Sequence, residues 1–255
     1  MEALSTILEL AELAGTMMLE SGAETYRAEE TIMSICNSCG CEKASALVIP
    51  TGIFVTIWDK DGVRHTTTVR TGKRDTHMGR VHRANDIIRG IGTRYTPQEA
   101  LEALKEVAKD KGPSHNTVTV AWALASGFFA MAMGGFWFEG IIATLIGFVV
   151  RMLGRFTRRL DRYAMLHTLV ASLVITLLAF AATALFGRGN ANSIIAGDLM
   201  PLLPGLAITT AARDTMRGDL VSGVARGVEA LLAAACMAAG TGAALWLWLL
   251  LGGAL

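Results

Sequence analysis

The most chemically loaded stretch of this sequence lies towards its C-terminal end. Asp219, Ser222, Arg226 and Glu229 follow one another at spacings of 3, 4 and 3, which places all four on one face of a helix. Arg226 and Glu229 are set to pair at i,i+3. The residues around them are apolar or small, and Gly223 and Gly227 leave room for another helix to approach. Charged side chains in or beside hydrocarbon are costly and usually face a bundle interior or a solute path. The plainer alternative is a solvated helix start, which suits Asp219 better than Glu229. Asp214 and Asp219 flank Met216-Arg217-Gly218 in the preceding turn, where they could gate or coordinate.

Just upstream, Asp198 is followed by Met200-Pro201-Leu202-Leu203-Pro204-Gly205. Each proline removes a helix donor and crowds the turn before it, so a kinked or locally unwound helix is expected. Unwound backbone in a membrane is tolerated where protein or a wet cavity surrounds it, although a simple packing kink would read the same way. In the N-terminal part, Glu24, Tyr26, Arg27 and Glu29 near the Pro50-Thr51-Gly52 turn could form a polar pocket. Cys36, Cys39 and Cys41 have no second Cys/His pair at zinc-finger spacing, so no metal site is assigned. His77 and His82, beside Arg80 and Arg83, read as helix-surface residues. No nucleophile elbow, Walker loop or dinucleotide fingerprint is present, and no cofactor is expected. The basic stretch 64–94 lacks the aromatic interleaving of a nucleic-acid surface, and a face near anionic headgroups explains it more simply.

These residues must be held by two kinds of chain. Of the 45 Lys, Arg, Asp and Glu residues, 30 fall within residues 1–117, as in a water-soluble domain fused to a membrane domain. Residues 1–115 read as an α+β domain, with helices over about 3–19, 23–38, 76–91 and 97–110. Between them, Val/Ile/Thr/Phe-rich segments at 44–49, 52–58 and 65–70 predict three strands with at least one hairpin. Thr96-Pro97-Gln98-Glu99 supplies an N-cap hydroxyl, a proline at the first helical position and an early acid.

Residues 116–255 read as an α-helical membrane domain with about five spans: 118–138, 139–153, 163–187, 193–212 and 220–251. The first has 21 residues without a charge. The second is the weakest, with 11 uncharged residues between Glu139 and Arg151. The last is about 48 Å long, more than a bilayer core of about 30 Å requires, so its first turns must lie in the interface, in protein or beside water. Thr168, Ser172, Thr176 and Thr183 draw a polar line along the third span, which more often satisfies helix carbonyls than serves a path. The 151–162 connection carries five Arg against one Asp. With no signal peptide apparent, loop charge places residues 1–115 and this connection in the cytoplasm and the C-terminus outside.

Two long segments carry a resemblance. Ser21-Gly22-Ala23-Glu24-Thr25-Tyr26-Arg27-Ala28-Glu29-Glu30-Thr31-Ile32 with Ile49-Pro50-Thr51-Gly52-Ile53-Phe54-Val55, and Leu203-Pro204-Gly205 through Arg213-Asp214, Gly218-Asp219-Leu220-Val221-Ser222-Gly223, Arg226 and Glu229-Ala230, resemble the bacterial threonine/serine exporter family. The resemblance implies gradient-driven export of small amino acids across the bacterial inner membrane, a transporter and not an enzyme. Only the larger half of a ten-span exporter is matched. That implies a partner, a small hydrophobic membrane subunit supplying the remaining spans, while a homo-oligomer stays open. The split arrangement also occurs in a branch associated with succinate export, so a dicarboxylate is an alternative substrate. In the exporter reading, Arg226 engages a substrate carboxylate or Glu229, and Glu229 or Asp219 carries the coupling proton. A membrane-anchored hydrolase or sensor acting through the N-terminal pocket is the competing class.

Overall fold

The computed structural model describes residues 2–72, 76–156 and 164–253. The chain divides into two compact units. Residues 1–112 form the first together with residues 206–227, and the second takes 113–205 and 228–255.

The first unit is built around α1 (Glu2–Glu20), which is covered on two sides. One side packs on α2 (Thr25–Ser38) and on a three-stranded antiparallel sheet ordered β1 (Lys43–Ile49), β2 (Gly52–Trp58) and β3 (Arg64–Arg70). Strand alternation sends Ile53, Val55 and Ile57 into this core against Ala11, Met18 and Ile32. The opposite side of α1, through Leu10, Ala14 and Met17, meets α3 (Met78–Arg89) and α4 (Pro97–Ala108) at Ala84, Ile88, Leu101 and Leu104. A helix buried on two faces needs small residues at its closest approach. At Gly15 a Cβ would lie 2.8 Å from Ile32 Cδ1 and 3.0 Å from Ile53 Cδ1. The expected capping box is formed: Thr96 accepts from the Glu99 backbone and Glu99 accepts from the Thr96 backbone.

The same unit takes in α9 (Gly205–Met216) from Leu206 onward and the first two turns of α10 (Leu220–Leu250). The two helices form a tight hairpin through Gly218, whose φ of 95° suits only glycine comfortably. A Cβ at Gly223 would collide with Thr215 and lie 3.0 Å from the Ala211 carbonyl.

The second unit contains α5 (His115–Ala132), α6 (Trp137–Phe156), α7 (Ala164–Phe186), α8 (Ala191–Leu199) and α10 from Val228. Ala130, Ile142, Ile146, Ile175, Ala179 and Ile194 form its core. Small residues again allow close packing, with Gly240 of α10 against Leu169 and Ser172 of α7. Hydroxyls on α7 bond back to their own helix, Ser172 to Leu169 O, Thr176 to Ser172 O and Thr183 to Ala179 O. That is the structural use of such residues.

Among the described residues three helices are long and apolar enough to cross a membrane: Trp137–Gly154, Met165–Phe186 and Leu220–Leu250. A bent pair, Ala191–Leu202 with Gly205–Met216, makes a fourth if counted as one span. This corrects the expected number of about five. The stretch 118–138 is free of charge, but its helix opens on His115-Asn116-Thr117 and stops at Ala132 before the Gly134-Gly135 turn, so it is not among the three. The weakest expectation, the second span, is instead among the three. Glu139 is accommodated at the start of α6 by accepting from Phe136 N at 2.8 Å and Asn190 N at 3.0 Å. Arg151 lies 5.1 Å from the Trp122 ring, where its charge meets an aromatic face. The second half of the Arg-rich connection that oriented the spans, 157–162, lies outside the described residues.

Candidate functional site

The link Ser21-Gly22-Ala23-Glu24 turns the chain from α1 into α2, with Gly22 at φ 90°. Glu24 holds the N-cap position in extended conformation, yet its side chain makes no capping bond. The orphan donors at the helix start turn elsewhere. Asp214 of α9 accepts from Thr25 N at 3.2 Å and from Thr25 Oγ1 at 3.0 Å. Asp214 is fully buried, so its charge needs a counter-ion. Arg226 of α10, also buried, supplies it, with Nε 3.4 Å from Asp214 Oδ2. Arg226 also donates from Nη2 to the Ala23 carbonyl at 3.0 Å.

Around this core lies a more exposed ring. Arg213 Nη1 donates to Glu24 Oε1 at 2.6 Å, and Arg27 approaches the other Glu24 oxygen at 3.6 Å. Arg217 stands 4.5 Å from the centre of the Tyr26 ring, a cation–π arrangement. Burial pushes the Glu24 carboxyl up, but its own backbone N–H, Arg213 and Arg27 outweigh that and hold it below the usual carboxylate value. Glu29 goes the other way. Burial raises it, the Val48 N–H at 2.8 Å partly opposes this, and the charges of Asp219 and Asp214 raise it further. Burial, helped by Asp214, raises Asp219 as well.

The structure therefore brings together residues that spacing alone had put in two places. Glu24, Tyr26, Arg27 and Glu29 meet Asp214, Asp219 and Arg226 in the first unit. Ser222 is buried there, and Glu229 is exposed two residues past that unit's end. Thr51 is exposed at the β1–β2 turn, where its carbonyl accepts from Thr71 N. Three participants were not among the candidates: Thr25, Arg213 and Arg217. Thr25 is the first residue of α2, not its third as periodicity put it, and a hydroxyl at a helix start was the available signal. The central Asp214 carboxylate is satisfied by Thr25 and Arg226, so the Thr25 hydroxyl is held as a capping donor. The chemistry of this network is that of a locked polar joint.

The cysteines are not poised for chemistry either. Burial, together with the neighbouring thiols, pushes Cys36 up to about 12 and Cys39 up to about 11. They stay protonated at neutral pH and are poor nucleophiles and ligands in that form. Among the described residues no three of His, Cys, Asp and Glu are grouped as a metal ion would require.

The remaining candidates lie in the second unit or at its edge. Pro201 sits in a 3-10 turn, Met200–Leu202, that ends α8; Leu203 and Pro204 follow, and Gly205 starts α9 across a bend of 52°. Asp198, fully buried, stands one residue before the last of α8. An open cavity of about 1140 Å³ lies among α7, α8 and α10. Thr176, Thr183, Asn190, Asn192, Thr241 and Trp248 are among its walls.

A model of a threonine/serine exporter family matches residues 9–248. The chain is 24% identical over 246 residues to the threonine/serine exporter of Corynebacterium glutamicum, covering 92% of this chain and 50% of that protein. It is likewise 24% identical over 243 residues to a protein of Mycobacterium tuberculosis named a probable threonine/serine exporter, covering 92% and 45%. The chain thus spans about half the length of the curated relatives it matches. No solved structure matches it significantly.

Proposed function

Because the chain belongs to the threonine/serine exporter family, we propose that it is one part of a secondary transporter that moves small amino acids of the threonine/serine type out of the cell. The observation that carries this reading is the family match along nearly the whole chain, joined to a membrane-type helix pair broken at Met200–Leu202. Broken helices in transporters expose backbone groups where solutes pass. The cavity beside α8 is polar at Thr176, Asn190, Asn192 and Thr241 and apolar at Phe180 and Trp248. That lining suits a small zwitterion with a short side chain.

In this proposal a small hydrophobic membrane subunit supplies the remaining spans of the transporter. Loop charge supports an inner-membrane protein with residues 1–115 and the 151–162 connection in the cytoplasm and the C-terminus outside, which requires α5 and the bent α8–α9 pair each to cross once. In this reading the charged face of α10 holds the N-terminal part to the α9–α10 hairpin. Arg226 is engaged by Asp214 and Ala23, and substrate passes elsewhere.

The test is uptake of labelled threonine into inside-out membrane vesicles from bacteria producing the chain, with and without its neighbouring reading frames. Accumulation driven by an acid interior and competed by serine supports the proposal. Competition by succinate and not by serine replaces amino acids with dicarboxylates. Hydrolysis of peptides or amides without accumulation replaces transport with enzymatic function.

A further inference from the structure

Asp198 is the one fully buried carboxylate described in the second unit, and its setting is unlike that of Asp214. Among the described residues its one polar side-chain neighbour is Ser126, which stands outside good hydrogen-bond geometry, and no described cation pairs with it. Ser126 Oγ, from α5, is equally buried and makes no other hydrogen bond of good geometry. The two groups face the same gap, opened by a missing side chain on α6. A Cβ at Gly147 would lie 2.6 Å from Ser126 Oγ and 3.0 Å from Asp198 Oδ1. On the other side Gly197 lets α8 press onto α5, where a Cβ would be 2.6 Å from Ala130 Cα. The niche is thus built by three helices around one carboxylate.

An anion in such a niche would surrender its hydration with little in return. Charge on Asp198 therefore requires the niche to open to water, while a neutral acid can stay enclosed. An opening is close at hand, because the helix breaks at Met200, two residues on. A sodium ion would need a shell of several oxygens, whereas a proton needs one carboxylate oxygen.

The other charged and titratable groups on the packed helices are committed elsewhere. Glu139 binds Phe136 N and Asn190 N, and Arg151 lies on Trp122. His167 lies against Gly154, and His115 is at the far start of α5. Arg188, in the loop before α8, lies over Phe138.

We infer that Asp198 carries the proton that is exchanged for substrate, an assignment that rests on the transporter reading above. One proton from water on the outer side adds to a carboxylate oxygen as the niche closes. It leaves to water on the inner side when the break opens there, and the carboxylate then waits, hydrated, for the next. No other bond changes. Gly147 and Ser126 are positioning residues that keep space for the acid.

Two measurements test this on the full chain. In inside-out vesicles with an acid interior, Asp198→Asn loses gradient-driven threonine accumulation at equal abundance, its residual uptake no longer varies with pH, and Asp198→Glu restores part of the coupling. Separately, a hydrophobic carbodiimide adds to a buried carboxylic acid without loss of atoms, so mass spectrometry should find the adduct on Asp198. Gly147→Ala, which fills the niche, should suppress that labelling. Accumulation that survives in Asp198→Asn, or a sodium gradient that replaces the proton gradient, overturns the assignment and leaves the exporter reading standing. A missing adduct on Asp198 in a monodisperse protein also overturns it. Wild-type vesicles that accumulate no amino acid under any gradient bring down the exporter reading itself.

Discussion

The Asp214 carboxylate accepts both the backbone N–H and the hydroxyl of Thr25, a residue 189 positions earlier in the chain. A helix start is normally served by its own N-cap side chain. Here the N-cap residue, Glu24, turns away to Arg213, and the capping oxygens arrive from another helix. Tertiary structure has taken over a local task, so α2 and the α9–α10 hairpin depend on one another.

Removing Asp214 leaves Arg226 buried without its counter-ion. Asp214→Ala should destabilise the first unit by about 3–5 kcal/mol, the usual cost of stranding one member of a buried pair. Arg226→Met in the same background should recover part of that loss, with a coupling of roughly 0.5–3 kcal/mol. Thermal unfolding of the two single variants and the double variant in detergent reads the coupling. Strictly additive losses would mean that the pair does not act as one.

The two carboxylates near this pair should respond oppositely to pH. Glu24 is held below its unfolded value, so its contribution is present above that value and is lost as pH falls through the folded one. Glu29 is held above, so it favours the fold only when protonated, and that contribution is lost as pH rises through its folded value. Near neutral pH, Glu24→Gln should lower the melting temperature and Glu29→Gln should raise it. Both differences should shrink on acidification, measured between about pH 4 and 7.

Two glycines four residues apart on α10 should behave differently. Gly223→Ala drives a methyl towards Thr215 and the Ala211 carbonyl, and backbone cannot move aside cheaply. A loss of about 1–3 kcal/mol is expected. Gly227 has open space around the same position, so Gly227→Ala should gain up to about 1 kcal/mol of helix propensity. Equal effects in melting experiments would contradict the packing of the α9–α10 hairpin.

Glu139 ties the 187–190 turn to the start of α6. Glu139→Ala removes the acceptor shared by Phe136 N and Asn190 N. Amide hydrogen exchange at Asn190 should accelerate while the middle of α7 keeps its protection.

Much of the first unit was legible because its signals are local. The strands follow from β-branched runs separated by Pro50-Thr51-Gly52 and by Asp59–Gly62, and α4 announces itself through Thr96, Pro97 and Glu99. Spacing also put Asp219, Ser222 and Arg226 on one face. It could not say what that face meets, because the answer, Ala23 and Thr25, lies some 200 residues away. The stretch 118–138 read as one continuous helix because absence of charge does not mark helix ends: α5 starts earlier, at His115, and stops at Ala132 before Gly134-Gly135. Asp198 was visible as an acid beside two prolines. Its niche was not, since it depends on Gly147 of another helix.

The cap on α2 also sets a schedule. Residues are added at about 5–20 per second during synthesis, so Asp214 follows Thr25 after roughly 10–40 s. For that interval the donors of Thr25 N and Oγ1 have only water to bond, and Glu24 lacks Arg213. The early helices must wait, with the start of α2 frayed, until the ribosome delivers a segment that lies beyond two long apolar helices, α6 and α7. Any factor guarding the nascent chain has its longest task at this point, between the birth of α2 and the arrival of its cap.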